Sequence, residues 1–366
     1  MTPTKITEDI SFRLSIMKFI AIVAVVYIHN RVFDVYAHIA INSNNLPIVY
    51  YTQTIWSDYL CRFAVPLFFC ISGFIYFAKQ YSHSTANFTL KKTKDIIFPY
   101  ILWNTIAIAY IFAAQVPSCT HQYFSAEKFI PNFSAAQWIS AYIGVSADWR
   151  PFLYPLWFMP YLFAAFIIVH PLRKVINQYP GVTWISLAAA NIICHSVTPV
   201  YDVLLNCGPL LRLLNALSFF TFGIFCLKNM NLFDSKITFF CSGLAFISAA
   251  FIDIPKVFIP IKIFPILLYA GVIFIFSLSS RIAQCSSKIK KQLAYISSFS
   301  FLIYVMHEFA LYALLKIIFS RFAAEATPVL LVYFTLPIIL MSILIICGAL
   351  LRKLFPQVYK FLFRSN

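Results

Sequence analysis

The segment RLSIMKFIAIVAVVYIHN, residues 13–30, decides the class of fold. It is apolar almost throughout, with Lys18 near its start and His29 at its far end. About 20 residues at ~1.5 Å rise cross ~30 Å of hydrocarbon, so the run predicts a transmembrane helix over 13–33. An imidazole in such a helix asks for a reason beyond lipid solubility.

The rest of the chain is of the same kind. Its 366 residues are 61% hydrophobic and 11% charged, with a mean hydropathy of +0.82. An ordinary soluble domain carries roughly 25% charged residues, so this is an integral membrane protein. Apolar runs and their breaks predict ten spans, near 13–33, 56–78, 96–115, 152–172, 181–200, 210–227, 237–253, 262–279, 294–318 and 329–351. The expected fold is an all-α polytopic bundle. It has a short leader (1–12), a membrane domain (13–351) and a basic tail (352–366), with no appended soluble domain and no cleavable signal. The 40 Phe and 21 Tyr suit lipid-facing and interfacial positions.

A net charge of +16 raises the question of nucleic acid, but the basic residues follow the spans. With the N-terminus inside, 19 of 28 fall at inner ends and loops, among them Lys91, Lys92, Lys94, Lys288, Lys290 and Lys291. Asp34, Asp58, Glu127, Asp148, Asp202, Asp253 and Glu325 fall outside. This is the positive-inside pattern, which puts both termini in the cytoplasm and leaves no nucleic-acid partner to expect. Nine cysteines form no CxxC pair, and no His or Cys grouping has metal-ligand spacing, so no metal is expected. Cys119 and Cys207 both fall in outer loops, where a disulfide between them is open.

The longest predicted outer loop, 116–151, contains SAAQWISAYIG, a short interfacial helix with Ser134 as N-cap. Ionisable residues inside spans are candidates for function by default: Lys18, His29, Arg62, His195, Arg212, His307, Glu308 and Lys316. Lys18 and His29 are eleven positions apart, about 20° past three full turns, so they share one helix face ~16 Å apart. Each also has a plainer explanation. Lys18 can snorkel, His29 can meet interfacial water, and Arg62 can simply pair with Asp58 at i−4. Gly73 can serve close helix approach, and His307 and Glu308, about 100° apart, can make structural polar contacts. No GxSxG, HExxH, GxxxxGK[ST] or GxGxxG motif occurs. What remains is a few His and basic residues, a set suited to proton transfer from a hydroxyl.

Several segments then resemble one family, the polytopic membrane acyltransferases called acyltransferase family 3. Lys18 through His29 resembles its signature of a basic residue, ten intervening residues and a histidine. RFAVPLFFCISGF (62–74) is similar to its second-helix pattern, KKTKDIIFPYILW to its basic loop and helix start, and PLWFMPYLF to its fourth-helix entry. SSFSFLIYVMHEFAL (297–311) resembles the late helix carrying Ser300, Tyr304 and His307. Ser15 and Phe19 depart from the pattern, standing where many members have Asp and Gly.

The resemblance implies a multi-pass protein of the bacterial inner membrane that moves an acyl group from cytoplasmic acetyl-CoA to a sugar hydroxyl at the outer face. Surface polysaccharide such as O-antigen, or its lipid-linked precursor, is the implied acceptor. Acetyl-CoA is a substrate, and no resident cofactor is expected. His29 is then general base or transient acyl carrier, Arg62 orients it or stabilises an oxyanion, and His307 with Glu308 completes the cavity. Lys18, Lys91, Lys92 and Lys94 meet the CoA phosphates. The rival reading is a transporter or flippase for lipid-linked glycan, since intramembrane charges also mark substrate paths.

Overall fold

A computed structural model of the chain describes residues 6–37, 46–79, 84–117, 129–143, 151–197, 208–253, 264–321 and 329–363. Among these the regular structure is helical, with no strand. In chain order the helices are α1 (Glu8–His29), α2 (Val32–Ala37), α3 (Leu46–Gln53), α4 (Ala64–Ala78), α5 (Thr85–Lys92) and α6 (Phe98–Gln115). They continue with α7 (Ala135–Ile143), α8 (Phe158–Gln178), α9 (Pro180–Val197), α10 (Gly208–Lys228), α11 (Met230–Asp234) and α12 (Lys236–Asp253). The last five are α13 (Phe264–Ile282), α14 (Ser287–Ser297), α15 (Ser300–Arg321), α16 (Val329–Leu354) and α17 (Pro356–Phe363).

Among the described residues seven helical stretches are long and apolar enough to cross a membrane, or up to eight if the bent pair α14–α15 is one span. The sequence predicted ten. Two of the expected spans are helices of another character. In α9 the polar side chains of Thr183, Ser186, Asn191, His195 and Ser196 interrupt the apolar run, and Asn191 is buried. The apolar run at Lys236–Phe251 in α12 is short for a span. The chain is a multi-pass membrane protein, and its helices do not all cross alike.

The chain divides into two compact units, the first formed by Met1–Gln80, Pro180–Ser196 and Ser218–Asn366, the second by Tyr81–Tyr179 and Val197–Leu217. In the first unit α1 is the central element and packs against α4, α13, α14 and α15. It starts at Glu8, ahead of the expected leader boundary, because the Thr7 side chain caps it by accepting from the Ile10 N–H at 3.3 Å. Glu8 and Asp9 sit in its first turn, where the helix dipole favours acids. Buried Arg13 pins this end, donating to Asp234 of α11 at 2.9 Å and to Ser279 of α13 at 3.3 Å.

Aromatic rings expected to face lipid also build the interior. Phe69, Phe74, Phe219, Phe220, Phe222, Phe276 and Phe299 are fully buried, while Phe240, Phe251 and Phe361 are exposed. The backbones of α4 and α10 meet at Gly73 and Gly223, where a Cβ on either would collide with the partner helix's main chain. Gly73 therefore has the packing role that its small size suggested. The expected tail is helical in its described part, through the end of α16 and α17.

In the second unit the predicted loop helix is present as α7. Its entry is a capping box: Ser134 Oγ accepts from the Gln137 N–H, and Gln137 Oε1 accepts from the Ser134 N–H at 2.8 Å. The Tyr100 hydroxyl of α6 donates to the Tyr142 carbonyl, and the Gln115 side chain accepts from the Ile130 N–H at 2.9 Å. These bonds tie the described part of the loop to α6. Cys119, Cys207, His38, His83 and His121 lie outside the described residues.

Candidate active site

Helix α1 ends at His29 because Asn30 leaves helical geometry, with ψ of 73°, while its N–H still donates to the Tyr27 carbonyl at 3.1 Å. Asn30 is fully buried, and its Nδ2 donates to the Tyr333 carbonyl of α16 at 2.7 Å. That bond leaves Asn30 Oδ1 as a buried acceptor without a partner among the described residues. The end of α1 is thus fixed on both sides of His29.

The ring of His29, half-buried, lies 5.1 Å from the ring of His307 on α15, centroid to centroid, at an interplanar angle of 63°. The two histidines that the sequence singled out in distant helices form one pair. His307 is fully buried, and its Nδ1 is 2.8 Å from the Tyr304 carbonyl and 3.1 Å from the Ile303 carbonyl. Glu308, next along the helix, is partly buried. Ser300 and Tyr304 of the same motif act locally, Ser300 by donating to the Ser297 carbonyl at 2.7 Å and Tyr304 through its carbonyl contact to His307.

Between α3 and α4 the chain runs through a π-helical stretch, Thr54–Leu60, and then a turn. Such widened turns recur at functional sites because they re-aim side chains. Here the stretch supplies Ser57 and Asp58. Ser57 donates to the Tyr27 carbonyl at 2.6 Å and accepts from the Tyr333 hydroxyl, which fastens the stretch to α1 and α16. Asp58 Oδ1 accepts from Arg62 at 2.6 Å, the i−4 pairing legible in the sequence. It also accepts from Arg31 at 2.8 Å, and Arg31 in turn donates to Asp34 at 2.7 Å. Two guanidiniums and two carboxylates balance, so the quartet carries no net charge.

Arg31 and Asn30 were not among the sequence candidates. Both follow directly on the histidine of the motif, and that adjacency was the available signal. Lys18 is half-buried on α1. Arg212 lies over the Trp157 ring at 5.3 Å, and His195 donates from Nδ1 to the Asn191 carbonyl at 2.8 Å. The Lys316 side chain is outside the described set. Lys91, Lys92 and Lys94 belong to the second unit. Lys91 and Lys94 are exposed, whereas Lys92 turns inward, its Nζ 3.9 Å from the Phe166 ring centroid and 5.6 Å from that of Phe88. Phe88 in turn stacks on His170 at 3.9 Å and 4°. Among the described residues no group of three or more His, Cys, Asp or Glu could hold a metal ion.

A family model described as an acyltransferase domain, that of acyltransferase family 3, matches residues 12–351. A curated relative, the succinoglycan biosynthesis protein ExoH of Rhizobium meliloti (strain 1021), is 23% identical over 361 residues, which cover 95% of this chain and 90% of that protein. No solved structure matches.

Proposed function

Because the chain belongs to acyltransferase family 3 and is an O-acyltransferase of the membrane, we propose that it moves an acetyl group from acetyl-CoA to a hydroxyl of a surface polysaccharide or its lipid-linked precursor. The setting is the bacterial inner membrane, with donor in the cytoplasm and acceptor at the outer face. The observation that carries this reading is the His29–His307 pair, two imidazoles 5.1 Å apart at the end of an apolar helix. Matching a succinoglycan biosynthesis protein along nearly its whole length favours a glycan acceptor, of which O-antigen is one form.

Ester formation needs a base for the attacking hydroxyl, and an imidazole serves near neutral pH. In the direct route the hydroxyl oxygen attacks the thioester carbonyl while its proton passes to a nitrogen of His29. The C–S bond then breaks, and the thiolate of CoA takes that proton as it leaves. In the two-step route a His29 nitrogen attacks the thioester carbonyl and the C–S bond breaks to release CoA; the glycan hydroxyl then attacks the acyl-imidazole, the C–N bond breaks, and the hydroxyl proton passes to the freed imidazole nitrogen. Arg62, held by Asp58, faces the developing oxyanion or orients His29, and Glu308 closes the cavity with His307. Lys18, on the same face of α1 as His29, is a proposed contact for CoA phosphate. Lys91 and Lys94, at exposed positions, are proposed phosphate contacts as well, whereas Lys92 is turned inward onto Phe166.

The test is release of free CoA by purified protein in liposomes, given acetyl-CoA with and without lipid-linked glycan. Glycan-dependent release that His29→Ala abolishes supports the reading. Glycan movement across the bilayer without CoA release would favour a flippase.

A further inference from the structure

We propose that His307 is the positioning residue for His29: its Nε2 lone pair accepts the N–H of the His29 imidazole and so sets which His29 nitrogen is free to take the acceptor's proton. The inference rests on the acyl-transfer reading for its kinetic consequence, and on geometry alone for the pairing itself.

The two neighbours of His307 Nδ1, the carbonyls of Ile303 and Tyr304, can only accept, so Nδ1 carries the hydrogen. In the neutral ring Nε2 is then a bare acceptor. It is buried in a residue with no solvent exposure and has no partner among the described residues. A buried acceptor left unsatisfied is unfavourable, so Nε2 calls for a donor within its reach. The His29 ring lies 5.1 Å away and inclined at 63°, a placement that admits nitrogen–nitrogen approach at hydrogen-bond distance, about 2.7–3.2 Å.

A neutral imidazole has one N–H. When that N–H of His29 is given to His307, the other nitrogen keeps its lone pair for the substrate hydroxyl. A neutral orienting group also suits apolar surroundings, where a carboxylate in the same place would need a further partner of its own. As the hydroxyl proton arrives on His29, the N–H toward His307 becomes that of an imidazolium, and the bond between the rings strengthens.

The experiment compares wild type, His307→Leu and His307→Gln in proteoliposomes. The Leu variant removes the acceptor, whereas the Gln amide oxygen restores one at the reach of Nε2. The first readout is kcat and KM for acetyl-CoA with lipid-linked glycan as acceptor. The second needs no turnover: carbethoxylation of His29 by diethyl pyrocarbonate, followed by mass spectrometry with His195 as internal reference. His307→Leu is expected to lower kcat about 100-fold with little change in KM. It should change the labelling rate of His29 about tenfold, the equivalent of one such hydrogen bond. His307→Gln should recover most of both.

Unaltered His29 labelling in His307→Leu overturns the pairing. Failure of Gln to recover either readout overturns a positioning role in favour of proton shuttling by His307 itself. If wild type transfers nothing from acetyl-CoA while the labelling still depends on residue 307, the pairing stands and the acyl-transfer reading falls. Should His307→Leu not fold, His307→Asn replaces it, since its shorter side chain cannot carry an acceptor to the Nε2 position.

Discussion

Arg31 Nη1 donates to Asp58 Oδ1 across 2.8 Å, which joins the residue just beyond α1 to the π-helical stretch 27 positions later. The same oxygen accepts from Arg62 at 2.6 Å, so one carboxylate holds two guanidiniums beside the end of the helix that carries His29. Asp58→Asn removes the charge that orients both. Charge-assisted hydrogen bonds are worth about 1.5–3 kcal/mol, and about 1.4 kcal/mol is tenfold in rate. Asp58→Asn is therefore expected to lower kcat/KM at least about tenfold with the protein still folded. In a double-mutant cycle Arg31→Ala and Arg62→Ala should be non-additive, because they share that oxygen.

At the other end of α1 the expected effect is on stability. Buried Arg13 bonds to Asp234, Ser279 and the Phe276 carbonyl. Arg13→Ala strands these partners and should cost about 2 kcal/mol, since Asp234 is 48% exposed and water recovers part of the loss. Thermal unfolding in detergent should shift downward, with transfer per folded molecule nearly unchanged.

Gly73 has no room for a side chain against the backbone of α10. Gly73→Ala must push the two helices apart, and overpacking of this kind costs typically about 1–3 kcal/mol. Gly181, which has open space at its Cβ position, is the control: Gly181→Ala should leave the yield of monodisperse protein unaltered, and Gly73→Ala should lower it.

The three lysines of the basic segment should separate in assay. Lys91→Ala and Lys94→Ala, at exposed positions, are expected to raise KM for acetyl-CoA with little effect on folding. Lys92→Ala empties a site against Phe166 and Phe88 and loses a desolvated cation–π contact worth about 2 kcal/mol. Its signature should be a lower melting temperature.

Much of this was written in the chain. The run ending in His29 predicted α1, the i−4 spacing predicted Asp58 with Arg62, and Ser134 as N-cap predicted a helix start. These are local signals, read over one or two turns. The His29–His307 pair was legible only as two candidates, since nothing in the sequence measures the distance between helices that far apart. Arg31 was passed over because its partner Asp58 lies across a turn. Arg13 looked like one more basic residue at a helix end, and its fixed role depends on Asp234, 221 positions away. The span count differed for a physical reason as well: a run with few charges reads as apolar, yet the neutral polar residues Thr183, Ser186 and Asn191, with His195 and Ser196, dilute α9, and the apolar run of α12 ends at Phe251, short of a span.

Transfer of an acyl group to glycan through His29 is read from the acyl-ester content of surface and lipid-linked glycans, measured by mass spectrometry in cells carrying wild type, His29→Ala or empty vector. A mass increment of one acyl group on a specific sugar is expected with wild type, and none with the other two. Wild-type levels of that ester in His29→Ala cells, with the protein present in the membrane, would contradict it.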